Sequence, residues 1–173
     1  MAWEIAVGQY GYVRSSDATA AGIPLVELGK LARNERLTNV GYGVYRFPEF
    51  PASSLDQFFE AVARVGDGAH LHSTSVLHLH GLAQLNPSTM VVGCARRVRR
   101  TLPAWVEVVR VAVPVAQLTE YEGVPSATVA RALQDCRGVL IGERFIAAID
   151  EARARGLLSA AEARALEVAD GRI

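Results

Sequence analysis

Residues 15–47 read SSDATAAGIPLVELGKLARNERLTNVGYGVYRF, a stretch with clear signals of helices, turns and strands. Its pattern predicts two short helices joined by a tight turn and followed by a β-ribbon. Ser15 or Ser16 is expected to cap the first helix, because a serine hydroxyl accepts a hydrogen bond from a free N–H of the first turn. Gly22 is expected to end that helix, since glycine adopts a left-handed backbone without steric strain. Pro24 suits the opening turn of the second helix, where a missing N–H does no harm.

The second helix carries one apolar stripe, because Leu28, Leu31 and Ala32 recur at the spacing of a helix face. Asn34 is expected to close this helix. Residues 40–47 then alternate and contain glycines, as a small two-stranded ribbon does. Helix, turn, helix and ribbon in this order are typical of the winged helix-turn-helix, which places its second helix in the major groove of DNA. The same elements also occur in small domains that do not bind DNA, so that alternative stays open.

The composition favours a folded chain without a global charge. The 173 residues have room for one large domain or two small ones, and half of them are hydrophobic. Eighteen basic and eighteen acidic residues cancel, so a DNA site has to come from a local cluster of charge. No apolar run approaches the ~20 residues of a membrane span, and the N-terminus lacks the pattern of a secretion signal. We therefore expect a cytoplasmic protein without a membrane segment, with Cys94 and Cys136 as free thiols.

A domain boundary is expected near residue 50, because two prolines within residues 47–51 favour extended backbone. We predict an N-terminal winged helix-turn-helix at residues 1–50 and a mixed α/β C-terminal domain at residues 51–173, which together make the fold class α+β. The second domain is expected to contain a helix at residues 55–65, strands at residues 89–93 and 105–113, an amphipathic helix at residues 140–155, and a last helix opened by a capping box of Ser159 and Glu162.

The strongest local charge lies at residues 95–100, which read ARRVRR. Between Cys94 and Arg110, five arginines face the single acidic residue Glu107, a local excess of +4. The four arginines of the run are Arg96, Arg97, Arg99 and Arg100. Guanidinium groups bind phosphates through paired N–H donors, and such binding weakens with salt. We therefore predict a phosphate-binding loop here, with a solvated turn and a site for an acidic partner protein as the alternatives.

All four histidines fall within residues 69–82, AHLHSTSVLHLHGL; they are His70, His72, His78 and His80. Imidazole is a common zinc ligand, so this cluster raises a metal site as a hypothesis. Residues two apart on a helix point away from each other, however, and no cysteine or acidic residue lies close in sequence. We predict a structural helix capped by Ser73, with hydrogen-bonded histidines and no metal.

Catalytic motifs are absent from the sequence. There is no phosphate-binding glycine loop and no nucleophile elbow. Ser73, His72 and Asp67 match the residue types of a hydrolase triad, but a triad is defined by its geometry rather than by closeness in sequence. We therefore predict no enzyme activity, no catalytic residues and no cofactor.

Several segments resemble the AbiEi family of bacterial antitoxins. In the first fifty residues they are DATAAGIP at 17–24, LVELGKLARNERL at 25–37 and YGVYRFPEF at 42–50. Two further segments are similar to the family pattern through His72, Ser75, Leu79, His80, Gly81 and Leu82, and through Gly123, Val124, Pro125, Thr128, Arg131 and Leu133. In the last segment we expect a helix capped by Ser126 and a partly buried ion pair of Arg131 with Asp135 or Asp150.

The resemblance implies an antitoxin domain in the second part of the chain and two activities. One is repression of its own operon through binding to inverted repeats in promoter DNA. The other is neutralisation of a cognate nucleotidyltransferase-like toxin of the AbiEii type. An antitoxin that binds its toxin without specific DNA binding is the alternative.

The resemblance also indicates which side chains contact DNA. The expected residues are Lys30 and Arg33 in the major groove, Asn34 at the end of the same helix, Arg36, Tyr42 and Arg46 at the phosphate backbone, and the four arginines of residues 95–100. Val26, Glu27 and Gly29 stand where relatives tend to place basic residues. We therefore expect weak binding by one module, aided by the arginine run or by a homodimer on two half-sites.

Overall fold

The structure is a computed structural model that describes residues 1–169. Within these residues the fold is mixed α+β, with eight α-helices and two β-sheets. The predicted α+β class is confirmed. The smaller sheet is built from the first part of the chain and the larger sheet from the second part.

The first part of the chain consists of three short helices and a three-stranded antiparallel sheet with strand order β1-β3-β2. Its elements are α1 (Ala2–Val7), β1 (Tyr12–Arg14), α2 (Ser15–Ala20), α3 (Leu25–Arg33), β2 (Thr38–Gly41) and β3 (Val44–Arg46). The two helices and the ribbon predicted from residues 15–47 are therefore present. The β2–β3 hairpin turns at Tyr42 and Gly43, and Gly43 supplies the left-handed φ of +66° that this turn requires.

The start of α2 differs from the prediction. Arg14, the last residue of β1, has extended backbone (φ −88°, ψ 146°) and occupies the cap position, so neither Ser15 nor Ser16 caps the helix. The serine caps are wrong because the strand runs directly into the helix. The Ser15 N–H donates instead to the Gly43 carbonyl oxygen (2.8 Å), which ties the start of α2 to the hairpin. Gly22 follows the helix with a φ of +74°, as its predicted role requires.

The predicted apolar stripe of α3 is confirmed. Leu28 is fully buried, and Leu31 and Ala32 pack partly buried against the same cluster. The other buried members of this small core are Ala6, Val13, Ala18, Leu37 and Phe47. Because they come from all three helices and from the strands, the small core holds the first part of the chain together.

The second part of the chain has a five-stranded mixed sheet with strand order β6-β5-β4-β8-β7. Its elements are α4 (Asp56–Val65), β4 (His70–Leu71), α5 (Thr74–Leu79), β5 (Met90–Cys94), β6 (Val106–Arg110), β7 (Leu118–Tyr121), β8 (Val124–Ala127), α6 (Val129–Asp135), α7 (Gly142–Ala154) and α8 (Ala160–Ala169). The predicted capping box is confirmed, because the Ser159 N–H donates to Glu162 (2.8 Å) and the Glu162 N–H donates to the Ser159 hydroxyl (3.2 Å).

The β5 and β6 strands pair in parallel, with Met90 opposite Val106 and Cys94 opposite Arg110. A parallel pair needs a crossover connection, which is usually a helix. Here residues 95–105 make the crossover without a helix. The arginine run lies in this crossover. Neighbouring strands of the sheet fix the two ends of the crossover.

Thr128 caps α6, in place of the predicted Ser126. The Thr128 hydroxyl accepts a hydrogen bond from the Arg131 N–H (3.3 Å). Ser126 does not reach this position because it still belongs to β8, where it pairs with Leu71 of β4. The predicted ion pair of Arg131 is made with Asp135 (2.6 Å).

Side chains on both sides of the predicted boundary share one core. Tyr12 and Val44, from the three-stranded sheet, are buried in the larger cluster together with residues of α4. The Tyr12 hydroxyl donates to the Glu60 carboxylate (2.6 Å), and Arg46 pairs with Asp56 (2.9 Å). The domain boundary itself stays a prediction, but the small sheet is packed against α4 by apolar and polar contacts.

Val44→Ala is expected to lower the free energy of unfolding by about 2 kcal/mol, because it removes two methyl groups from a buried site. Since Val44 belongs to the small sheet and packs in the larger core, the whole chain should unfold in one transition at lower temperature. Differential scanning calorimetry measures this shift. Two separate transitions, of which only one moves, would contradict the shared core.

Candidate functional site

The arginine run of residues 95–100, here called the arginine loop, lies against the C-terminal end of α4. Arg100 Nη1 donates to the Arg64 carbonyl oxygen (3.2 Å), and Arg96 donates to the Asp67 carbonyl oxygen just beyond the helix. The last carbonyls of a helix have no partner within it and carry partial negative charge, so guanidinium groups are stabilised there. Two of the four arginines therefore fix the loop to the fold.

The other two arginines, Arg97 and Arg99, are directed to solvent. Both are exposed, and within residues 1–169 neither side chain forms an ion pair or a hydrogen bond. Each guanidinium keeps its five N–H donors available for a ligand. The loop is thus divided into two arginines that hold it in place and two that can bind an anion.

The hairpin turn meets the arginine loop at Tyr42. This side chain is 77% exposed, and the Arg100 guanidinium carbon lies 5.1 Å from the centre of its ring. That distance is within the range of a cation–π contact. The close approach also depends on Gly66, where a Cβ would lie 3.1 Å from Arg100 Nη1. Arg100 therefore joins the hairpin, the loop and the end of α4.

A cleft of about 890 Å³ lies between the β2–β3 hairpin and the arginine loop, and we call it the arginine cleft. All four arginines line it, together with Asn39, Tyr42, Cys94 and Thr101. Of the described residues, no aspartate or glutamate contributes to the lining. Because the chain as a whole has a formal net charge of zero, the cleft is a local concentration of positive charge.

The α3 helix adjoins this cleft at its start. A groove of about 200 Å³ is lined by Leu25 of α3 together with Tyr42 and Arg100. The basic residues predicted on α3 are partly engaged, because Lys30 pairs with Glu27 (2.8 Å) and Arg33 Nε donates to a backbone carbonyl of the same helix (3.3 Å). Asn34 and Arg36 are exposed.

Arg46 does not line the arginine cleft, and neither do Lys30, Arg33, Asn34 and Arg36. Arg46 pairs with Asp56 (2.9 Å), its guanidinium lies 5.4 Å from the centre of the Tyr12 ring, and its side chain is only 20% exposed. A guanidinium with this ion pair would have to lose it before binding phosphate. The structure thus brings Tyr42 and the four loop arginines together and places Arg46 between β3 and α4.

Two polar residues of the cleft, Asn39 and Thr101, are not predicted by the sequence. Thr101 directly follows the arginine run, so its position in sequence was a usable signal. Asn39 had no such signal, because its place depends on the register of β2 against β3, where it lies opposite Tyr45. Its side-chain oxygen accepts the Gly41 N–H (3.1 Å), which leaves the amide NH₂ as a donor.

His70 and His72 form a second polar cluster, which is buried. His70 and His72 lie on one face, as their alternation on a strand predicts, with ring centres 5.9 Å apart. His72 Nε2 is 3.3 Å from the Asp135 carboxylate, which also binds Arg131. Among residues 1–169, His72 Nδ1 has no hydrogen-bond partner. The predicted hydrogen bonding is therefore wrong for this nitrogen.

Only one of the four histidines belongs to the predicted helix. His78 lies in α5 and its Nδ1 is 2.9 Å from the Leu85 carbonyl oxygen, whereas His80 packs edge-on against Tyr121. The strand ends so close to α5 that Ser73 forms the turn, with φ 49° and ψ −126°, and its side chain does not cap the helix. Its hydroxyl lies 3.2 Å from Cys136 Sγ.

The triad residue types do not come together. The carboxylate beside His72 belongs to Asp135, while Asp67 lies near Arg14 (3.7 Å). Within the part of the chain that the structure describes, no group of three or more His, Cys, Asp or Glu side chains is placed to hold a metal ion.

Burial changes the protonation of the histidine cluster. Burial lowers the pKa of His70 below its usual value, and it also lowers the pKa of His72, where the neighbouring Asp135 carboxylate opposes the effect. Burial likewise lowers the pKa of His80. These imidazoles therefore stay neutral at a pH where exposed histidines begin to gain protons.

No protein-family model matches the chain, and no curated protein matches it. The resemblance to the AbiEi antitoxins therefore stays a prediction from the sequence. No helix within residues 1–169 combines the length and the apolar character that a bilayer crossing requires.

Stability is expected to decrease from about pH 7.5 to about pH 5.5, because unfolded histidines take up protons near pH 6.5 whereas the buried ones resist protonation. In that range the unfolded state binds more protons, so acid favours unfolding. His70→Gln removes one such group and should flatten the pH dependence. Urea unfolding at a series of pH values measures both. A slope that His70→Gln leaves unchanged would contradict this role of burial.

Proposed function

We propose that this protein is a cytoplasmic antitoxin of the AbiEi type, which binds the promoter DNA of its own operon and neutralises an AbiEii-like nucleotidyltransferase toxin. The observation that carries the proposal is the contact between Tyr42 and Arg100. Through it, the hairpin and the arginine loop form one basic surface, and the start of α3 adjoins this surface. Two sequence features that were each predicted to bind DNA are thus neighbours in space.

The order of elements in the first part of the chain supports a winged helix-turn-helix. Three helices and three strands follow one another as α1-β1-α2-α3-β2-β3, and the strands form one antiparallel sheet. In such a fold α3 is the recognition helix and the β2–β3 hairpin is the wing. The exposed Tyr42 at the hairpin turn would then face the DNA backbone.

The arginine loop supports binding to phosphates. Within residues 1–169, Arg97 and Arg99 have free guanidinium groups, while Arg96 and Arg100 keep the loop in place without losing their charge. Phosphate contacts supply affinity that depends on salt and not on sequence. Lys30 is paired with Glu27 on the surface of α3, and a base contact would have to replace this pair. A homodimer on inverted repeats would supply the missing specificity, since two half-sites bind together.

An antitoxin that binds only its toxin is the second candidate. It is favoured by the ion pairs of Lys30 and Arg46, which reduce the number of free cations near α3. In this case the arginine cleft would bind an acidic surface of the toxin. Capture of the neighbouring gene product by the purified protein, without a gel shift on DNA, would select this candidate.

Arg97→Ala combined with Arg99→Ala is expected to weaken binding to the upstream DNA at least tenfold and to reduce the salt slope by about two, because two phosphate contacts are lost. Gel shifts at several salt concentrations measure both quantities. The matched control replaces Arg144 and Arg153, exposed on α7, and should bind as the wild type does. Unchanged affinity and slope in the Arg97/Arg99 variant would refute the arginine loop as a DNA contact.

A further inference from the structure

The arginine cleft is lined by both exposed and buried residues. Arg97 and Arg99 are exposed, whereas Val65 and Cys94, which also contribute to the lining, are only 4% and 3% exposed. The volume of about 890 Å³ falls in the range of small-ligand sites.

We propose that the arginine cleft binds a nucleoside triphosphate. The phosphate part is indicated by four guanidinium groups and by the lack of carboxylates among the described lining residues. Like charges that lie close together repel one another, and a bound anion of high charge relieves that repulsion. A triphosphate carries several charges within a short length. Its oxygens match the paired N–H donors of Arg97 and Arg99, which have no partner within residues 1–169.

The nucleoside part is indicated by Tyr42 and Asn39 at the hairpin side of the cleft. The Tyr42 ring is largely exposed and is held in place by Arg100, so a base can stack on an aromatic surface that is already ordered. Asn39 keeps an amide NH₂ that can donate to the edge of a base or to a ribose oxygen. The triphosphate would extend from there toward Arg97 and Arg99.

Binding of nucleotide to the cleft is independent of the proposed function. The effect of nucleotide on DNA binding, however, rests on the proposed function. Arg97 and Arg99 cannot bind a triphosphate and a DNA backbone at the same time. If the protein binds promoter DNA as proposed, the nucleotide releases it. The cleft would then connect repression to the supply of nucleotide, which is also the substrate class of a nucleotidyltransferase.

Calorimetric titration without DNA and without divalent cations tests the site directly, with ATP and GTP as ligands. Inorganic tripolyphosphate and adenosine serve as comparison ligands. The expected result is binding of at least one nucleotide about tenfold more tightly than tripolyphosphate, and no measurable binding of adenosine.

Two variants distinguish binding of the base from binding of the phosphates. Tyr42→Ala should weaken nucleotide binding about tenfold more than it weakens tripolyphosphate binding, because only the nucleotide also loses base stacking, whereas both ligands lose the contact that orders Arg100. Arg97→Ala with Arg99→Ala should weaken both ligands at least tenfold, and the Arg144/Arg153 control should weaken neither. The circular dichroism of each variant should match that of the wild type, so that a loss of binding reflects the cleft.

Three results would overturn the proposal. They are no binding of either nucleotide at low salt, equal binding of nucleotide and tripolyphosphate with no effect of Tyr42→Ala, and binding of a single-stranded oligonucleotide far more tightly than either nucleotide. The effect of nucleotide on DNA binding is measured separately from the titration, by a gel shift with added nucleotide. If the protein never shifts DNA but binds nucleotide in the titration, the proposed repressor function fails and the nucleotide site stands.

Discussion

The end of α4 is the point on which the arrangement of the site depends. Arg96 and Arg100 donate to carbonyl oxygens at and just after its last turn, and Arg100 also contacts Tyr42 of the hairpin. Residues 95–105 connect two parallel strands without a helix, so these contacts replace the order that a crossover helix would provide. Without them the connection would regain conformational freedom, and ordering it again on binding would oppose affinity.

Local patterns predicted the elements well, because the information lies within a few residues. The stripe of Leu28, the glycine after α2 and the capping box of Ser159 each follow from short-range geometry, and each is present in the structure. The predicted capping residues were wrong where a strand and a helix meet without a connecting turn. Arg14 and Thr128 cap α2 and α6 because the neighbouring strands β1 and β8 determine where helical backbone can begin.

The site could be predicted only in part, because the sequence shows which residues are charged but not which residue each of them pairs with. Arg46 is predicted to contact DNA, and the sequence does not show its pair with Asp56, because that pair depends on packing between β3 and α4. The partner of His72 is Asp135, which is distant in sequence, and Asn39 reaches the cleft only through strand register. By contrast, the arginine run was evident from four residues that stand next to one another.

We propose that the hairpin and the arginine loop act as one surface in binding nucleic acid. The most direct test is a double-mutant cycle of Tyr42→Ala and Arg100→Ala, with affinity for the upstream DNA measured by fluorescence anisotropy. Residues in contact show coupling energies of about 0.5–3 kcal/mol, whereas independent residues are additive. The structure predicts that the double variant loses less affinity than the sum of the single variants. Additive losses would contradict a joint surface and would mean that the hairpin and the loop bind separately.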